Sequence, residues 1–366
     1  MNATFAQLPI RDELRGQVPY GAPQLDVPVR LNTNENPYPP PAAVVAEIAA
    51  ATAAAATELN RYPDRECTAL RVALAGYLAE DTGVPLAAAQ LWPANGSNEI
   101  MQQLLQAFGG PGRTALSFAP TYSMYPEYAR NTHTRWLTGD RTADFELDLA
   151  AAARLIEQIQ PAVLLLASPN NPTGTAATLD SIRALLEVAP GMVVVDEAYA
   201  EFRRAGVPSA CTLLADHPRL VVTRTMSKAF ALAGGRLGYL AADPAVVDAV
   251  RIVRLPYHLS SVGQATARAA LAHSGELLAA VAVLRAERDA TVHRLRELGL
   301  RVIDSDANFV LFGTFADPHA VWQGLLDRGV LIRETGPAGW LRVSIGTAEE
   351  MRAFRLALQQ VMGERS

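Results

Sequence analysis

Four short, unbroken apolar runs constrain this chain most: TALSF (114–118), AVLLLAS (162–168), MVVVDEA (192–198) and LVVTRT (220–225). Separated by stretches of helical period, they predict strands covered on both faces, in the mostly parallel central sheet of an α/β fold. The alternation runs from about Tyr38 to Pro244. Residues 1–34 are Pro-rich and irregular, like an arm laid on a body. After about Val250 the pattern changes. A long helix carries Leu277, Val281, Leu284, Val292, Leu295 and Leu298 and stops at Gly299. NFVLFG, GVLIRE and WLRVSIG then read as strands of a smaller α/β domain. The expected division is an arm packing with the small domain (1–34), a large domain with helices on both sides of its sheet (35–249) and a small C-terminal domain (250–366).

In open parallel sheets ligands collect beyond the carboxyl ends of the strands, and the polar residues gather there. LWPANGSNEIMQQLLQAF reads as a strand, a Gly turn and a helix burying Ile100, Met101, Leu104, Leu105 and Phe108. Its start at Ser97 and Asn98 is either an ordinary N-cap or a place where free N–H groups receive a phosphate. Asn170 and Asn171 end another strand in a turn. Asp196 closes a very apolar strand, as a cap, a salt-bridge partner or a chemical group. Its neighbour Glu197 points to the other face, so the two are not a paired acid and base. Thr225, Ser227 and Lys228 end the fourth run, with Arg236 eight residues on.

Lys228 is the only lysine among 32 Lys and Arg residues. Arginine supplies the same charge, but only an ammonium readily loses a proton and forms a Schiff base. A codon bias toward arginine would leave such a survivor anywhere; this one lies at a strand end beside hydroxyls and an arginine.

Charge and composition exclude several classes. A net charge of −5 and 50% apolar residues give no basic excess for nucleic acid or a membrane surface. The Ala-rich run from Pro41 to Thr57 is broken by Glu47, Thr52 and Thr57, which predicts a surface helix and no membrane span. Cys67 and Cys211 lie far apart without a CxxC, and the six histidines form no HExxH, so no metal site is expected. The start has no apolar h-region, and a cytoplasmic protein is expected. GGRLG follows its strand too late for the G-x-G-x-x-G of a nicotinamide-dependent dehydrogenase. A regulator built on such a body would need a DNA-binding domain, and only about 34 residues precede the core.

Together the motifs NENPYPPP, RYPD, ANGSNE, PTYSMYP, SPNNPTG, VDEAYAEF, RTMSKAFALAGGRLGY and LRVSIGT, in that order, make the chain resemble the fold-type I, class I/II aminotransferases that use pyridoxal 5′-phosphate. Within that family it is most similar to the histidinol-phosphate branch, in its actinobacterial form. The resemblance implies transfer of an amino group between L-glutamate and imidazole acetol phosphate, in histidine biosynthesis, by a homodimer. Aromatic amino acids are the alternative substrate, and a threonine-phosphate decarboxylase is a more distant one. By the same resemblance, Lys228 would hold the cofactor as an internal aldimine and act as base. Asp196 would pair with the ring nitrogen, Asn171 and Tyr199 with the phenolic oxygen, and Tyr122 would stack on the ring. Ser97, Asn98, Thr225, Ser227 and Arg236 would hold the cofactor phosphate, joined by Tyr62 from the neighbouring subunit. Arg342, helped by Arg333, would grip the glutamate carboxylate and the other substrate's phosphate in turn. Tyr20 and Tyr257 match tyrosines near that phosphate, with packing as their other reading. Glu35 is expected to help close the arm beside Asn36. Ser-Asn replaces the more usual Ala-Asp at 97–98, which leaves the Asn98 side-chain contact open.

Overall fold

A computed structural model describes residues 5–364. The elements run β1 (Val29–Arg30), α1 (Ala42–Ala56), α2 (Thr68–Thr82), β2 (Leu91–Ala94), α3 (Ser97–Phe108), β3 (Thr114–Ala119), α4 (Tyr125–Asn131) and β4 (Arg135–Asp140). Next come α5 (Leu149–Ile159), β5 (Val163–Ala167), α6 (Leu179–Val188), β6 (Met192–Asp196), β7 (Leu220–Thr225), β8 (Gly238–Ala242) and α7 (Pro244–Val253). The chain closes with α8 (Ser261–Ala272), α9 (Ser274–Glu297), β9 (Arg301–Val302), β10 (Phe309–Gly313), α10 (Pro318–Leu326), β11 (Val330–Leu331), β12 (Leu341–Ser344) and α11 (Ala348–Gly363).

Seven strands form the central sheet in the order β2-β8-β7-β6-β5-β3-β4, parallel except for β8. The four apolar runs are β3, β5, β6 and β7. Every residue of β5, β6 and β7 is buried, because helices cover both faces. Two strands were not legible as such. Edge strand β4 mixes exposed Arg135 and Asp140 with half-buried residues, and β8 begins at a glycine. Helix α3 buries Ile100, Met101, Leu104 and Leu105 on one side, as its spacing predicts, while Phe108, expected with them, is only half-buried at the helix end. Each fully buried side chain contributes roughly 1.5–3 kcal/mol.

Beyond α9 lie a three-stranded antiparallel sheet, β12-β10-β9, and a parallel pair of β1 with β11. The arm therefore joins the small sheet region through β1. It also touches the large body: Tyr20 Oη lies 3.0 Å from Ser123 Oγ, and Arg130 donates to Gln17. The pattern change near residue 250 does not coincide with a change of packing partner. Helix α7 packs on α3, α8 packs on α1 and α2, and α9 is the element that reaches β9 and β10. No single helix among the described residues is long and apolar enough to cross a membrane.

The reversed strand fixes one corner of the molecule. Gly238 pairs with Ala94, so the start of β8 abuts the turn into α3. A Cβ on Gly238 would lie 2.3 Å from the Ser97 backbone nitrogen and 2.5 Å from the Gly96 carbonyl carbon. Those atoms are backbone and cannot rotate away. Gly238→Ala should therefore destabilise the protein by about 1–3 kcal/mol, the usual range for overpacking. Gly275→Ala, where a Cβ meets nothing within 4 Å, should leave the denaturation midpoint close to wild type. Chemical denaturation of both variants checks the contrast.

Candidate active site

The carboxyl ends of β2, β3, β5, β6 and β7 open into one cavity of about 300 Å³, which residues of the arm and of the β11–β12 region close. Lys228, Asp196, Tyr199, Asn171, Ser97, Asn98, Tyr122, Thr225, Ser227, Arg236, Tyr20, Arg333 and Arg342 all line it. The turn after each strand explains the convergence, since strand ends far apart in sequence, from Ala94 to Thr225, become neighbours across a parallel sheet.

At one end is an anion cradle. Gly96, with φ of +84°, caps α3 without a side-chain hydrogen bond, so the first N–H groups of the helix are left for a ligand. Arg236 presses close: a Cβ on Gly96 would lie 2.7 Å from its Nη2. Arg236 donates to Ser227 Oγ at 3.3 Å, and Thr225 donates to the same oxygen at 2.9 Å. Tyr128 donates to Asn98 Oδ1 at 2.8 Å. That bond turns the Asn98 amide so that its oxygen is used within the protein, which fits Asn at this position.

Asp196 lies at the floor, 6% exposed. Tyr125 donates to its Oδ2 at 3.0 Å and Thr223 to its Oδ1 at 3.1 Å. Burial pushes its pKa up to about 6, against the lowering effect of those two hydroxyls. Glu197 does point the other way. It accepts from Arg224, Ser209, Arg203 and the Ala210 backbone N–H on the far side of the sheet. The two faces of the strand thus differ in kind: Glu197 is paired with arginines, whereas Asp196 forms no ion pair among the described residues.

Lys228 is half-buried, and its Nζ donates to the Thr33 carbonyl at 2.9 Å. Desolvation, with the Arg342 charge next in weight, lowers its pKa to about 8. Across the cavity Arg342 is 6% exposed. It donates to Asn171 Oδ1 at 2.6 Å and to the Asn32 carbonyl at 2.8 Å, while its Nε is buried without a partner. Its guanidinium stands 5.1 Å from the Phe309 ring centroid, and burial lowers its pKa to about 10. Arg333 is bridged to it through paired backbone hydrogen bonds of 3.0 Å. Asn171 also donates to Tyr199 Oη at 3.3 Å, so one amide ties the arginine to the tyrosine.

Several contributors were not singled out in the sequence. Asn34, in a left-handed conformation with φ of +56°, donates to Tyr199 Oη at 3.0 Å and accepts from Ser344 at 2.8 Å. The expected NENP asparagine, Asn36, instead donates to the Ala229 carbonyl at 3.2 Å. Tyr125 and Thr223 were missed too, although Thr223 shares a strand face with Thr225. Tyr62 and Tyr257 are outside the cavity of their own chain. Tyr62 is 79% exposed, and the two rings stack with centroids 4.4 Å apart.

The donor set fits pyridoxal 5′-phosphate. The glycine-lined helix start with Arg236 suits a phosphate, Lys228 an aldehyde, Tyr199 a phenolic oxygen, and cation-free Asp196 a protonated ring nitrogen. The buried, unpartnered Nε of Arg342 suits a carboxylate. No cluster of metal-ligating side chains occurs among the described residues.

Comparison with known proteins agrees. Residues 27–358 match the model of the family described as aminotransferase class I and II. The chain is 63% identical to a histidinol-phosphate aminotransferase of Thermobifida fusca, over 97% of this chain and 96% of that protein. A Mycobacterium avium protein of the same name is 57% identical, over 98% and 90%. Among solved structures, the Sinorhizobium meliloti histidinol-phosphate aminotransferase in complex with pyridoxal-5′-phosphate superposes with a TM-score of 0.82 at 25% identity, covering 93% and 92%. An aspartate aminotransferase of Thermus thermophilus shares the fold at 24% identity, with a TM-score of 0.78 over 91% of each chain. A match this long, to relatives this similar, means that the chain belongs to the aminotransferase class I and II family.

Proposed function

We propose that the chain moves an amino group between L-glutamate and imidazole acetol phosphate, giving L-histidinol phosphate and 2-oxoglutarate in histidine biosynthesis. The observation that carries this reading is that Lys228, Asp196 and Arg342 share one cavity, and none of them has an ion-pair partner among the described residues. Pyridoxal 5′-phosphate, when bound, supplies an aldehyde for the amino group and a ring that accepts the electron pair left at the substrate carbon.

The protein's part is positioning and proton transfer. The α3 start, Ser97, Asn98, Thr225, Ser227 and Arg236 bind the cofactor phosphate. Tyr122 covers one ring face, and Tyr199 with Asn171 hydrogen-bonds the phenolic oxygen. Asp196 holds the proton on the ring nitrogen; a cation facing it offsets the burial that otherwise raises its pKa. Arg342 takes the substrate carboxylate in a fork of two donors. The same arginine, helped by Arg333 and with Tyr20 close by, receives in turn the phosphate of the other substrate, which has no carboxylate. Lys228 Nζ would serve as the base that takes the proton from the substrate Cα and gives it back as the amino group changes hands. Its pKa near 8 keeps the neutral amine within reach at physiological pH. The two substrates use the site in turn, which gives ping-pong kinetics.

The working unit in this reading is a cytoplasmic homodimer. Its support is that Leu59, Tyr62, Ile252 and Leu255 are all exposed apolar side chains, and that Tyr62 stacks on Tyr257, close in sequence to that last pair. Tyr62 would then lend its hydroxyl to the cofactor phosphate in the partner's cavity, with Tyr257 stacked behind it.

Two tests follow from these assignments. Lys228→Arg should keep the fold and lower kcat by at least about a hundredfold, since proton transfer by a placed base contributes on that order. Borohydride should fix the cofactor to Lys228 in the wild type and to nothing in the variant. Appreciable turnover in the variant, or a reducible link elsewhere, contradicts the assignment. For the shared site, Tyr62→Phe and Lys228→Ala chains are refolded together. Each mixed dimer should contain one active site that binds pyridoxal phosphate with wild-type affinity, tighter than either site of the Tyr62→Phe homodimer. An active site as weak as that homodimer's would place Tyr62 in its own chain's chemistry.

A further inference from the structure

The Asp196 carboxylate is bracketed by two hydroxyls that the reaction itself does not consume. Thr223 lies opposite Asp196 in the β6–β7 register and donates to Oδ1 at 3.1 Å. Tyr125, at the start of α4, donates to Oδ2 at 3.0 Å. Both donors are fully buried. Tyr125 has no freedom to turn away: its ring meets Tyr122 edge-on at 5.5 Å and Trp136 at 6.3 Å. Ionisable groups around Asp196 include Tyr122, Tyr125, Tyr128, Tyr199 and Glu197, none of them a cation, and no ion pair to Asp196 forms among the described residues. A carboxylate stripped of water and without a cation keeps its charge only through such donors. The Ala198 backbone N–H adds a third, weaker stabilising contact, and the carboxylate still lines the cavity.

We infer that Tyr125, seconded by Thr223, is a positioning residue that keeps Asp196 ionised and aimed at the cavity. It acts on the ring nitrogen of the cofactor only through Asp196. The edge contact with Tyr122 gives the same side chain a second effect: it sets the tilt of the ring expected to cover the cofactor face. The inference rests on the role of Asp196 proposed above. If Asp196→Asn leaves kcat unchanged, that role fails. If Asp196→Asn is impaired while the variants below are normal, only the present inference fails.

The variant is Tyr125→Phe, which removes the hydroxyl and keeps the ring. Three readouts separate tuning from packing. The Kd of the cofactor-free protein for pyridoxal phosphate should rise, and kcat should fall, each by about tenfold, the order expected for one lost hydrogen bond to a charged group. KM for histidinol phosphate should stay within about twofold, because the hydroxyl does not line the substrate's binding groups. Third, loading with N-methylated pyridoxal phosphate, whose ring carries a fixed positive charge, should shrink the kcat gap between variant and wild type to about twofold. Native Kd and kcat in Tyr125→Phe overturn the inference, and so does a kcat gap that persists undiminished with the fixed-charge analogue. Should Tyr125→Phe fold poorly, Thr223→Val must show the same pattern in smaller measure, and native behaviour there overturns the inference equally.

Discussion

An ionised group taken out of water without a counter-charge costs several kcal/mol, and this chain does so more than once within a single cavity. Asp196 and Arg342 are buried, and Lys228 faces the same space; each is hydrogen-bonded by the protein, but none forms an ion pair among the described residues. The fold shows that it can pair charges where it needs to. On the opposite face of β6, one residue from Asp196, Glu197 and Arg224 form a buried ion pair at 2.8 Å, with Asp81 and Glu201 also on Arg224. The contrast across one strand separates a structural use of charge from one that waits for a ligand.

Much of the architecture exists to hold those charges apart. The parallel strands bring Asn171, Asp196 and Lys228 to a common edge, although they are spread over almost sixty positions of sequence. The reversed strand β8 brings Arg236 and Gly238 against the start of α3. Arg342 arrives from the small sheet and is held by Asn32 from the arm and Asn171 from the large body. Asn34 likewise links Tyr199 to Ser344, 310 positions away. Cofactor pocket and substrate pocket are therefore joined by hydrogen bonds that cross from one sheet to the other, and a shift of the small sheet would move both Arg342 and Asn171.

The parts of this arrangement that were legible in the sequence are those with local causes. Apolar runs revealed β3, β5, β6 and β7, because burial on both faces demands continuous hydrophobicity. Lys228 stood out because the rest of the chain uses arginine. The opposite orientations of Asp196 and Glu197 followed from the period of a strand. What stayed hidden depends on distant contacts. Nothing near Asn34 reports that its amide meets Tyr199, and Tyr125 reads as one more aromatic beside Tyr122. Edge strand β4 lacks the apolar continuity of a covered strand, and the packing of α8 on α1 and α2 runs across the compositional change near residue 250.

After the cofactor's phosphate, aldehyde and ring nitrogen are matched, the cavity retains Arg342 and Arg333 beside Tyr20. That pair of positive charges suits the doubly charged phosphate of histidinol phosphate better than the single charge of phenylalanine's carboxylate. The direct measurement is kcat/KM of the cofactor-loaded protein for L-histidinol phosphate and for L-phenylalanine under the same conditions. Donors placed for a phosphate are left partly unpaired by a smaller, singly charged carboxylate, so the ratio should favour histidinol phosphate by on the order of a hundredfold or more. Equal values, or a preference for phenylalanine, would contradict the account.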